Sequence, residues 1–465
     1  MSIENVAHND MRRKAVLVVN TPRLATLRDR AKYHVVIVGG GAAGLELATQ
    51  LGDRLHHTGE GRVTLLDLSP THLWKPLLHS VAAGSLKPSE HELNYLAQAH
   101  WHNFRFRFGE MVGVDRNRKL VMTAATYDED NRLITPAGSI SYDALVIAVG
   151  SVTNDFGAPG VAEYAIPLET ADQAKRFNRR LINACLRAQT QTEPIRPGQL
   201  HIAIIGAGAT GTELAAELHR TVREVVAFGL DRIDPENDIR IVLIEASSRI
   251  LPALPERISA ASEDLLKKLG VQIQTGDLVA EVKTDGVRLA NGEFIPAELV
   301  VWAAGVKAPG GLREIGGLET NGINQLIVTQ TLQTTRDPNI FAMGDCAECP
   351  RPGFTTSVPP RAQAAHQQAS HLFRQIQRHM HGKTLAPYTY RDFGSLVSLG
   401  RYEAIGSLMG FLVGRNIRVE GLIARLIYRS LYRMHEYALS GGRKVFFSIL
   451  ARGLSSKSEL QVKLH

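Results

Sequence analysis

The chain has 465 residues, of which 44% are apolar and 21% are charged. This composition is typical of a globular α/β protein with two or three domains, and it excludes a disordered or fibrous chain. The formal net charge of +7 comes entirely from the segment that begins at Arg415, where ten lysines and arginines accompany three acidic residues. A charge localised in this way excludes a general nucleic-acid surface and favours one anionic partner for that end of the chain.

Three cysteines imply no disulfide framework and favour a reducing compartment. No run of about 18 apolar residues is present, so the sequence predicts no membrane-spanning helix. Residues 1–32 form an N-terminal extension in which no motif can be recognised.

A glycine-rich motif follows, in which an apolar strand from His34 leads into a tight turn, a helix begins at Gly41, and a second apolar strand ends in Asp67. This order is typical of a βαβ unit that binds a dinucleotide. One glycine allows the turn, the next lets the backbone approach a pyrophosphate, the third brings helix and strand together, and the terminal acid can bond an adenosine ribose. The residues predicted to bind this dinucleotide are Gly39, Gly41, Ala43, Gly44 and Asp67.

The same design recurs farther along the chain, from His201 to Glu245. A helix over 169–188 and a polar linker are predicted to lead into it, and the loop before its second strand carries an insertion near 228–237. Two complete motifs indicate two dinucleotides, because each motif serves one. The residues predicted to bind the second are Gly206, Gly208, Gly211 and Glu245.

A strand that ends in Gly344 and Asp345 supplies a third signature. Asp345 can bond the ribityl chain of a flavin, with Gly344 permitting the close approach, and the alternative is a structural helix cap. This ending indicates that the chain has returned to the first domain, so that the second domain is an insertion. Gly150 and Gly305 end two further buried strands and leave room for a ligand, and Lys75 is predicted to face the flavin from an apolar loop over 71–79.

The segment 358–367 resembles the motif that type II NADH dehydrogenases place beside the flavin. Segments 72–84, 208–213 and 302–309 are similar to the same family, most closely to its bacterial single-chain membrane form, within the two-dinucleotide-binding-domain flavoproteins. The resemblance implies an α/β fold with two Rossmann-like domains, which bind FAD and NADH. It also implies a respiratory NADH:quinone oxidoreductase, in which hydride passes from NADH to FAD and a membrane quinone is then reduced by two electrons without proton pumping.

The predicted quinone site lies at the start of the helix that follows Pro360, where small residues leave an apolar slot. By resemblance, His366 lies near the quinone and could relay a proton. Glu213 follows the second glycine turn and either lies at the junction of the two cofactors or is only a helix-dipole partner. The residues predicted to take part in catalysis are Glu213, Gln363, His366 and Gln367, and Ala364 is predicted to border the cofactor.

Two further expectations concern cofactor choice and cysteine chemistry. Glu245 should repel a 2′-phosphate and so favour NADH over NADPH, although Arg249 nearby could accommodate a phosphate. Disulfide reductases of this group carry a redox cysteine pair after the first motif, and this chain has none there. Cys346 and Cys349 have redox or soft-metal spacing, the alternative is a buried turn, and no metal site is predicted.

The predicted domains are an extension at 1–32, a FAD-binding domain at 33–165 and 330–395, an NADH-binding domain at 166–329, and a C-terminal membrane-association region at 396–465. In the last region Arg425, Arg429 and Arg433 form one helical stripe beside an apolar face, and a second apolar cluster follows at 445–450. Such a helix is predicted to lie on an anionic bilayer, on the cytoplasmic face of the bacterial inner membrane. The alternative is a helical pair packed on the protein or in a homodimer interface.

Two other functions remain open at this stage. A soluble NADH-dependent flavin reductase that passes electrons to a protein or to oxygen would stay fully active without the C-terminal region. A non-enzymatic flavin redox sensor would show negligible turnover with any quinone.

Overall fold

The computed structural model describes residues 32–399, 403–409, 416–420 and 439. The predicted N-terminal extension and both basic apolar segments of the C-terminal region, 421–434 and 443–452, lie outside these residues. Within the described part the chain forms two α/β domains, each built on one parallel sheet.

The strands of the two main sheets are β1 (Tyr33–Val38), β2 (Gly61–Asp67), β3 (Arg105–Phe108), β4 (Ala144–Ile147), β5 (Ala165–Pro167), β6 (His201–Ile205), β7 (Arg240–Glu245), β8 (Gln272–Thr275), β9 (Leu299–Trp302), β10 (Gln333–Thr334) and β11 (Asp337–Ala342). The α-helices are α1 (Ala42–Thr58), α2 (Leu78–Ala83), α3 (Tyr95–Trp101), α4 (Val161–Tyr164), α5 (Ala171–Thr190), α6 (Ala209–Ala227), α7 (Glu256–Lys268) and α8 (Ala362–Met380).

Shorter elements connect these. The 3₁₀ segments are Lys75–Leu77, Pro88–Glu90, Gly310–Gly317 and Gly344–Cys346. The shorter strands are Thr71–His72, Leu93–Asn94, Met111–Asp115, Leu120–Thr123, Thr126–Tyr127, Leu133–Thr135, Gly138–Ser141, Val152–Thr153, Val279–Lys283, Gly286–Leu289, Phe294–Pro296, Val306–Lys307, Leu326–Ile327, Ala347–Glu348, Gly394–Leu399, Glu403–Met409 and Asn416–Glu420.

The first sheet has the strand order β10-β11-β4-β1-β2-β3 and is parallel except at β10. Its central strand β1 is apolar on both faces and its residues Val35, Val36 and Ile37 are completely buried, as a sheet covered on both sides requires. Helices α1 and α8 pack against each other beside this sheet. Because β11 pairs with β4, the chain returns to the first sheet after building the second.

The second sheet has the order β5-β9-β6-β7-β8 and is wholly parallel. Its apolar core contains Phe177 of α5 and Leu218 of α6, both completely buried. Helix α2 of the first domain packs against α5 and α6 of the second. Where the chain crosses between the domains, Val152–Thr153 pairs antiparallel with Val306–Lys307.

The predicted helix over 169–188 is confirmed as α5, which begins two residues later. Its N-terminus is capped by a capping box between Thr170 and Gln173. The prediction of a loop over 71–79 was wrong. This segment contains the short strand Thr71–His72, the 3₁₀ segment Lys75–Leu77 and the first residues of α2, because Pro76 presets the backbone for a helical start. Among the described residues, none of the helices has both the length and the apolar character needed to span a bilayer.

Candidate active site

A cavity of about 2150 Å³ lies between the two domains. Its walls include both glycine turns, the 3₁₀ segments at Lys75 and Gly344, and the first two turns of α8. A pocket for one drug-sized ligand is roughly 300–1000 Å³, so this cavity has room for more than one large ligand.

The glycines of the first turn do two different things. A Cβ atom at Gly39, where φ is +100°, would lie 2.3 Å from the carbonyl oxygen of Ala148, and a Cβ at Gly44 would lie 1.8 Å from the carbonyl oxygen of Gly39. At these two positions the surrounding backbone therefore leaves no room for a side chain. A Cβ at Gly41 would meet nothing within 4 Å, and Gly41 lines the cavity. The open space at Gly41 fits a ligand that approaches the backbone.

The second turn repeats this division. A Cβ at Gly206, where φ is +99°, would lie 2.6 Å from Cα of Ala304, and one at Gly211 would lie 2.0 Å from the carbonyl oxygen of Gly206. A Cβ at Gly208 would meet nothing within 4 Å, and Gly208 lines the cavity. In the second turn too, the fold itself excludes a side chain at two glycines and leaves open space beside the third, whose role in binding stays a prediction.

Gly41 and Gly208 are also the N-cap residues of α1 and α6. Neither helix has a side-chain cap, and neither has an acidic residue in its first turn. The first backbone N–H groups of both helices therefore keep their positive electrostatic potential, which suits a phosphate group. Two such helix starts on one cavity fit two pyrophosphates, one from each dinucleotide.

Asp67 and Glu245 occupy equivalent places in the two domains. The carboxylate of Asp67 accepts hydrogen bonds from the N–H groups of Gly40 and Ser69, and that of Glu245 accepts from Ala207 and Ser247 at 2.8 and 2.9 Å. Burial raises the pKa of Asp67, and these backbone bonds oppose that rise. Asp67 lines the cavity, whereas Glu245 is not part of the cavity wall. The Glu245 carboxylate instead bonds to the backbone of the second glycine turn. Their predicted bonds to ribose stay a prediction.

Lys75 and Asp345 come together across the first domain, as expected of two residues around one ligand. The Lys75 ammonium donates to the carbonyl oxygen of Ser151 at 2.8 Å, and the Ser151 hydroxyl donates to Asp345 Oδ2 at 2.9 Å. Burial raises the pKa of Asp345, while the Ser151 hydrogen bond and the Lys75 charge lower it. All three residues line the cavity, and so do Gly150, Gly305 and Gly344.

The sequence did not indicate the residues that hold the Gly40 peptide. The Tyr95 hydroxyl donates to the Gly40 carbonyl at 2.7 Å, and His72 contacts the same residue's backbone. His72 is buried, and its pKa falls to about 4 because burial disfavours the charged imidazole. Both residues come from segments well outside the glycine motif, so only the folded chain brings them to the turn.

The start of α8 forms another part of the cavity wall. Gln363 Nε2 donates to the Gly394 carbonyl, and Gln367 Nε2 donates to the Arg391 carbonyl at 2.8 Å. Gln367 Oε1 accepts from the Arg391 N–H at 2.9 Å. Both glutamines line the cavity, but their amides also fasten the segment 391–394 to the helix. Ala364, predicted to border the cofactor, is instead buried in the core of the first domain.

Glu213 lines the cavity and belongs to a polar cluster between the domains. His79 Nδ1 of α2 lies 3.3 Å from Glu213 Oε2, and His79 Nε2 lies 3.5 Å from Glu217 Oε2. The Ser80 hydroxyl donates to Glu217 at 3.0 Å. His79 therefore bridges two carboxylates one helical turn apart, and the sequence analysis missed it because it lies in what was read as a loop.

The chain is similar to proteins of a known family. Residues 33–369 match the model of the pyridine nucleotide-disulphide oxidoreductase family. The chain is 40% identical, over 93% of its length and 100% of the relative's, to a type II NADH:quinone oxidoreductase of Haemophilus influenzae. The chain belongs to the type II NADH:quinone oxidoreductase family. A second family member, NdhA of Mycobacterium tuberculosis, is 28% identical over 91% of this chain and 87% of its own.

Solved structures agree with the fold of this family member. The structure of NDH2 from Plasmodium falciparum in complex with NADH superposes with a TM-score of 0.77 at 18% identity, covering 93% of this chain and 100% of that one. The sulfide:quinone oxidoreductase from Aquifex aeolicus superposes with a TM-score of 0.66 at 19% identity, covering 92% and 96%. At these identities the superpositions support the fold alone.

The cysteines of this type II NADH:quinone oxidoreductase family member are all buried thiols. Burial raises the pKa of Cys346 and of Cys349 to about 12, and that of Cys185 to about 11. A thiol with so high a pKa is a poor nucleophile and a poor metal ligand at neutral pH. The structure thus favours the buried-turn interpretation of Cys346 and Cys349.

Proposed function

We propose that this chain is an FAD-dependent NADH:quinone oxidoreductase that reduces quinone without pumping protons. The observation that carries the proposal is that one large cavity is lined by both glycine turns and by the start of α8, which is rich in small residues. The helices that follow the two turns, α1 and α6, have no side-chain cap. When bound, the flavin accepts a hydride from NADH and passes the electrons on to the quinone. The family to which the chain belongs supports the same reaction.

The first domain would hold FAD. The backbone at Gly41 offers space and N–H groups to the pyrophosphate, and Lys75 places a cation on the same wall. Asp345 is the acceptor for ribityl hydroxyls. Asp67 keeps spare lone pairs beside its two backbone bonds, so it can still accept from a ribose. The residues assigned to FAD are Gly39, Gly41, Ala43, Gly44, Asp67, Lys75, Gly150, Gly344 and Asp345.

The second domain would hold NADH. Gly208 provides the approach to its pyrophosphate, and Glu245 stands at the end of β7, where a ribose 2′-hydroxyl is favoured over a 2′-phosphate. Arg249 donates to the Pro252 carbonyl at 2.9 Å, which directs part of its guanidinium away from a phosphate. Glu213 would lie where the two cofactors meet. The residues assigned to NADH are Gly206, Gly208, Gly211, Glu245 and Gly305.

The quinone would bind against the first turns of α8, with Gln363, His366 and Gln367 around it. The tail from Arg415, which carries the net positive charge, would hold the enzyme on the anionic lipids of the cytoplasmic face of a bacterial inner membrane. Assembly as a homodimer would leave this arrangement unchanged. Residues 1–32 take no part in the proposal.

The test is a two-stage assay of the purified yellow protein. NADH added without oxygen should bleach the flavin absorbance, and a short-chain quinone should restore it with about one NADH consumed per quinone reduced. A soluble flavin reductase would be reoxidised by oxygen or a protein as fast as by quinone, and a redox sensor would bleach without turnover. A colourless protein, or one that NADH does not bleach, would contradict the proposal.

A further inference from the structure

Glu46, which no sequence motif singled out, joins the first glycine turn to the proposed quinone site. It lies on α1 and its carboxylate contacts the imidazole Nδ1 of His366 on α8. The same carboxylate accepts hydrogen bonds from Gln50 Nε2 at 3.0 Å and from the Ser370 hydroxyl at 3.2 Å. Three donors therefore converge on one acid from two helices.

Burying an ionised carboxylate costs free energy unless donors or a positive charge beside it compensate for the lost water. The Glu46 side chain is 5% exposed, and that of His366 is 27% exposed on the cavity wall. A buried carboxylate is stabilised by hydrogen-bond donors and above all by a positively charged partner. The contact therefore gives the buried Glu46 carboxylate a partner that can carry a positive charge.

One neighbouring histidine faces His366 from the segment before α2. His72 interacts electrostatically with His366, and its own pKa is lowered to about 4 by burial. At neutral pH His72 is therefore uncharged and does not compete with His366 for the negative charge of Glu46.

The reaction needs a proton at this place. Reduction of a quinone to a quinol takes two electrons and two protons, and the hydride of NADH brings both electrons with one proton. The second proton must come from solvent, and a group on the cavity wall next to the quinone can deliver it.

We propose that Glu46 is a positioning residue that holds His366 as the proton donor to the quinone, an inference that rests on the proposed function. As the quinone receives its electron pair, an N–H bond of the His366 imidazolium breaks and an O–H bond forms at the quinone oxygen. Glu46 keeps its negative charge throughout. The neutral imidazole then regains a proton from solvent through the cavity.

The test compares Glu46→Gln with Gln50→Ala as its matched control. Glu46→Gln keeps the size and removes the charge, whereas Gln50→Ala removes one hydrogen bond to the same carboxylate. In Glu46→Gln the rate of quinone-dependent flavin reoxidation should fall by about a hundredfold, the loss typical of a missing general acid. Flavin bleaching by NADH, the KM for quinone, the flavin content and the melting temperature should stay close to those of the unaltered protein, as should all rates of Gln50→Ala.

Two further measurements separate proton donation from a structural tie. The solvent deuterium isotope effect on reoxidation should increase in Glu46→Gln, because proton transfer becomes the slow step. Added imidazole should restore reoxidation in His366→Ala, and Glu46→Gln should cause no further loss in that background. Equal losses in both half-reactions, or a melting temperature that falls together with the rate, would assign Glu46 to structure and overturn the inference.

The outcomes also separate this inference from the proposed function. Failure of any quinone to reoxidise the unaltered protein would contradict the function itself. Normal turnover of the unaltered protein together with unimpaired reoxidation in Glu46→Gln would overturn only the role of Glu46.

Discussion

At the scale of single residues, some glycines of each turn are required by the fold, and we assign the others to ligand binding. Gly44 and Gly211 exclude a side chain because backbone carbonyl oxygens lie about where a Cβ would stand, at 1.8 and 2.0 Å. A Cβ at Gly41 or Gly208 would meet no protein atom within 4 Å. A methyl group at these last two positions should therefore be tolerated by the fold and opposed only by the ligand.

Gly208→Ala is expected to fold normally, bind FAD and bind NADH poorly. Its new methyl group would occupy the space beside the pyrophosphate, so the KM for NADH should rise by about tenfold or more. Gly211→Ala should instead lower the free energy of unfolding by roughly 1–3 kcal/mol, the usual cost of overpacking. Steady-state kinetics and denaturant unfolding of both variants check this pair, and a Gly208→Ala protein as unstable as Gly211→Ala would refute the separation.

His72 is expected to make the protein sensitive to acid. Its pKa of about 4 in the folded protein lies below its ordinary value of 6.5. Between these two pH values the unfolded chain therefore binds a proton at His72 and the folded chain does not. Stability is therefore lost as pH falls from about 6.5 towards 4, by up to about 3 kcal/mol for this residue. Unfolding free energies of the unaltered protein and of His72→Gln, measured at pH 7 and pH 4.5, should show a shallower pH dependence in the variant. Equal pH dependence in both would refute this account.

The residues that the sequence revealed are those whose roles depend on near neighbours in the chain. The glycine spacing predicts both turns because strand, turn and helix are contiguous. Lys75 stands out as a cation in an apolar segment, and Asp345 as an acid at the end of an apolar strand. Tyr95, His72 and Glu46 act on groups 55, 32 and 320 residues away, and only tertiary structure pairs such partners. The Ala364 side chain lies in the core of the first domain, and its predicted contact with the cofactor stays a prediction.

At the scale of elements, α8 both lines the cavity and fixes the strip that follows it. Gln363 and Gln367 lie four residues apart on one face and bond to the backbone of 391–394, in the manner of a neighbouring strand. Gln368, on the adjoining face, accepts from the Gly344 N–H at 2.6 Å and ties the helix to the Gly-Asp ending. The helix thus couples the proposed quinone wall to the proposed flavin wall.

Removing either cavity-facing glutamine should impair the quinone step selectively. Gln363→Ala and Gln367→Ala release the segment 391–394 and remove polar groups from the wall, so quinone-dependent reoxidation should slow by about tenfold, equal to about 1.4 kcal/mol. Flavin bleaching by NADH should be unchanged. Gln377→Ala, on the same helix but bonded only within it to Phe373, is the matched control. Stopped-flow measurement of both half-reactions decides, and equal losses in the two would refute the assignment.

At the scale of the whole molecule, we assign the chemistry to the described body and membrane binding to the basic tail. The body brings both glycine turns to one cavity through the packing of α2 on α5 and α6, where His79 bridges Glu213 and Glu217. The sequence analysis predicted the two domains from their repeated motifs but could not predict this interface, since no periodicity records which helices meet. The net charge of +7 comes from the segment from Arg415 onward.

Replacing the arginine stripe by glutamine should therefore weaken membrane binding and leave the chemistry intact. Each basic residue near an anionic surface contributes about 1 kcal/mol, so Arg425→Gln, Arg429→Gln and Arg433→Gln together should lower the affinity for phosphatidylserine-containing vesicles by about a hundredfold. The corresponding triple lysine variant keeps the charge and should bind as the unaltered protein does. Turnover with a short-chain soluble quinone should be equal in all three proteins. A glutamine variant that loses this turnover would mean that the stripe packs on the protein itself. Undiminished vesicle binding would mean that another surface of the protein binds the membrane.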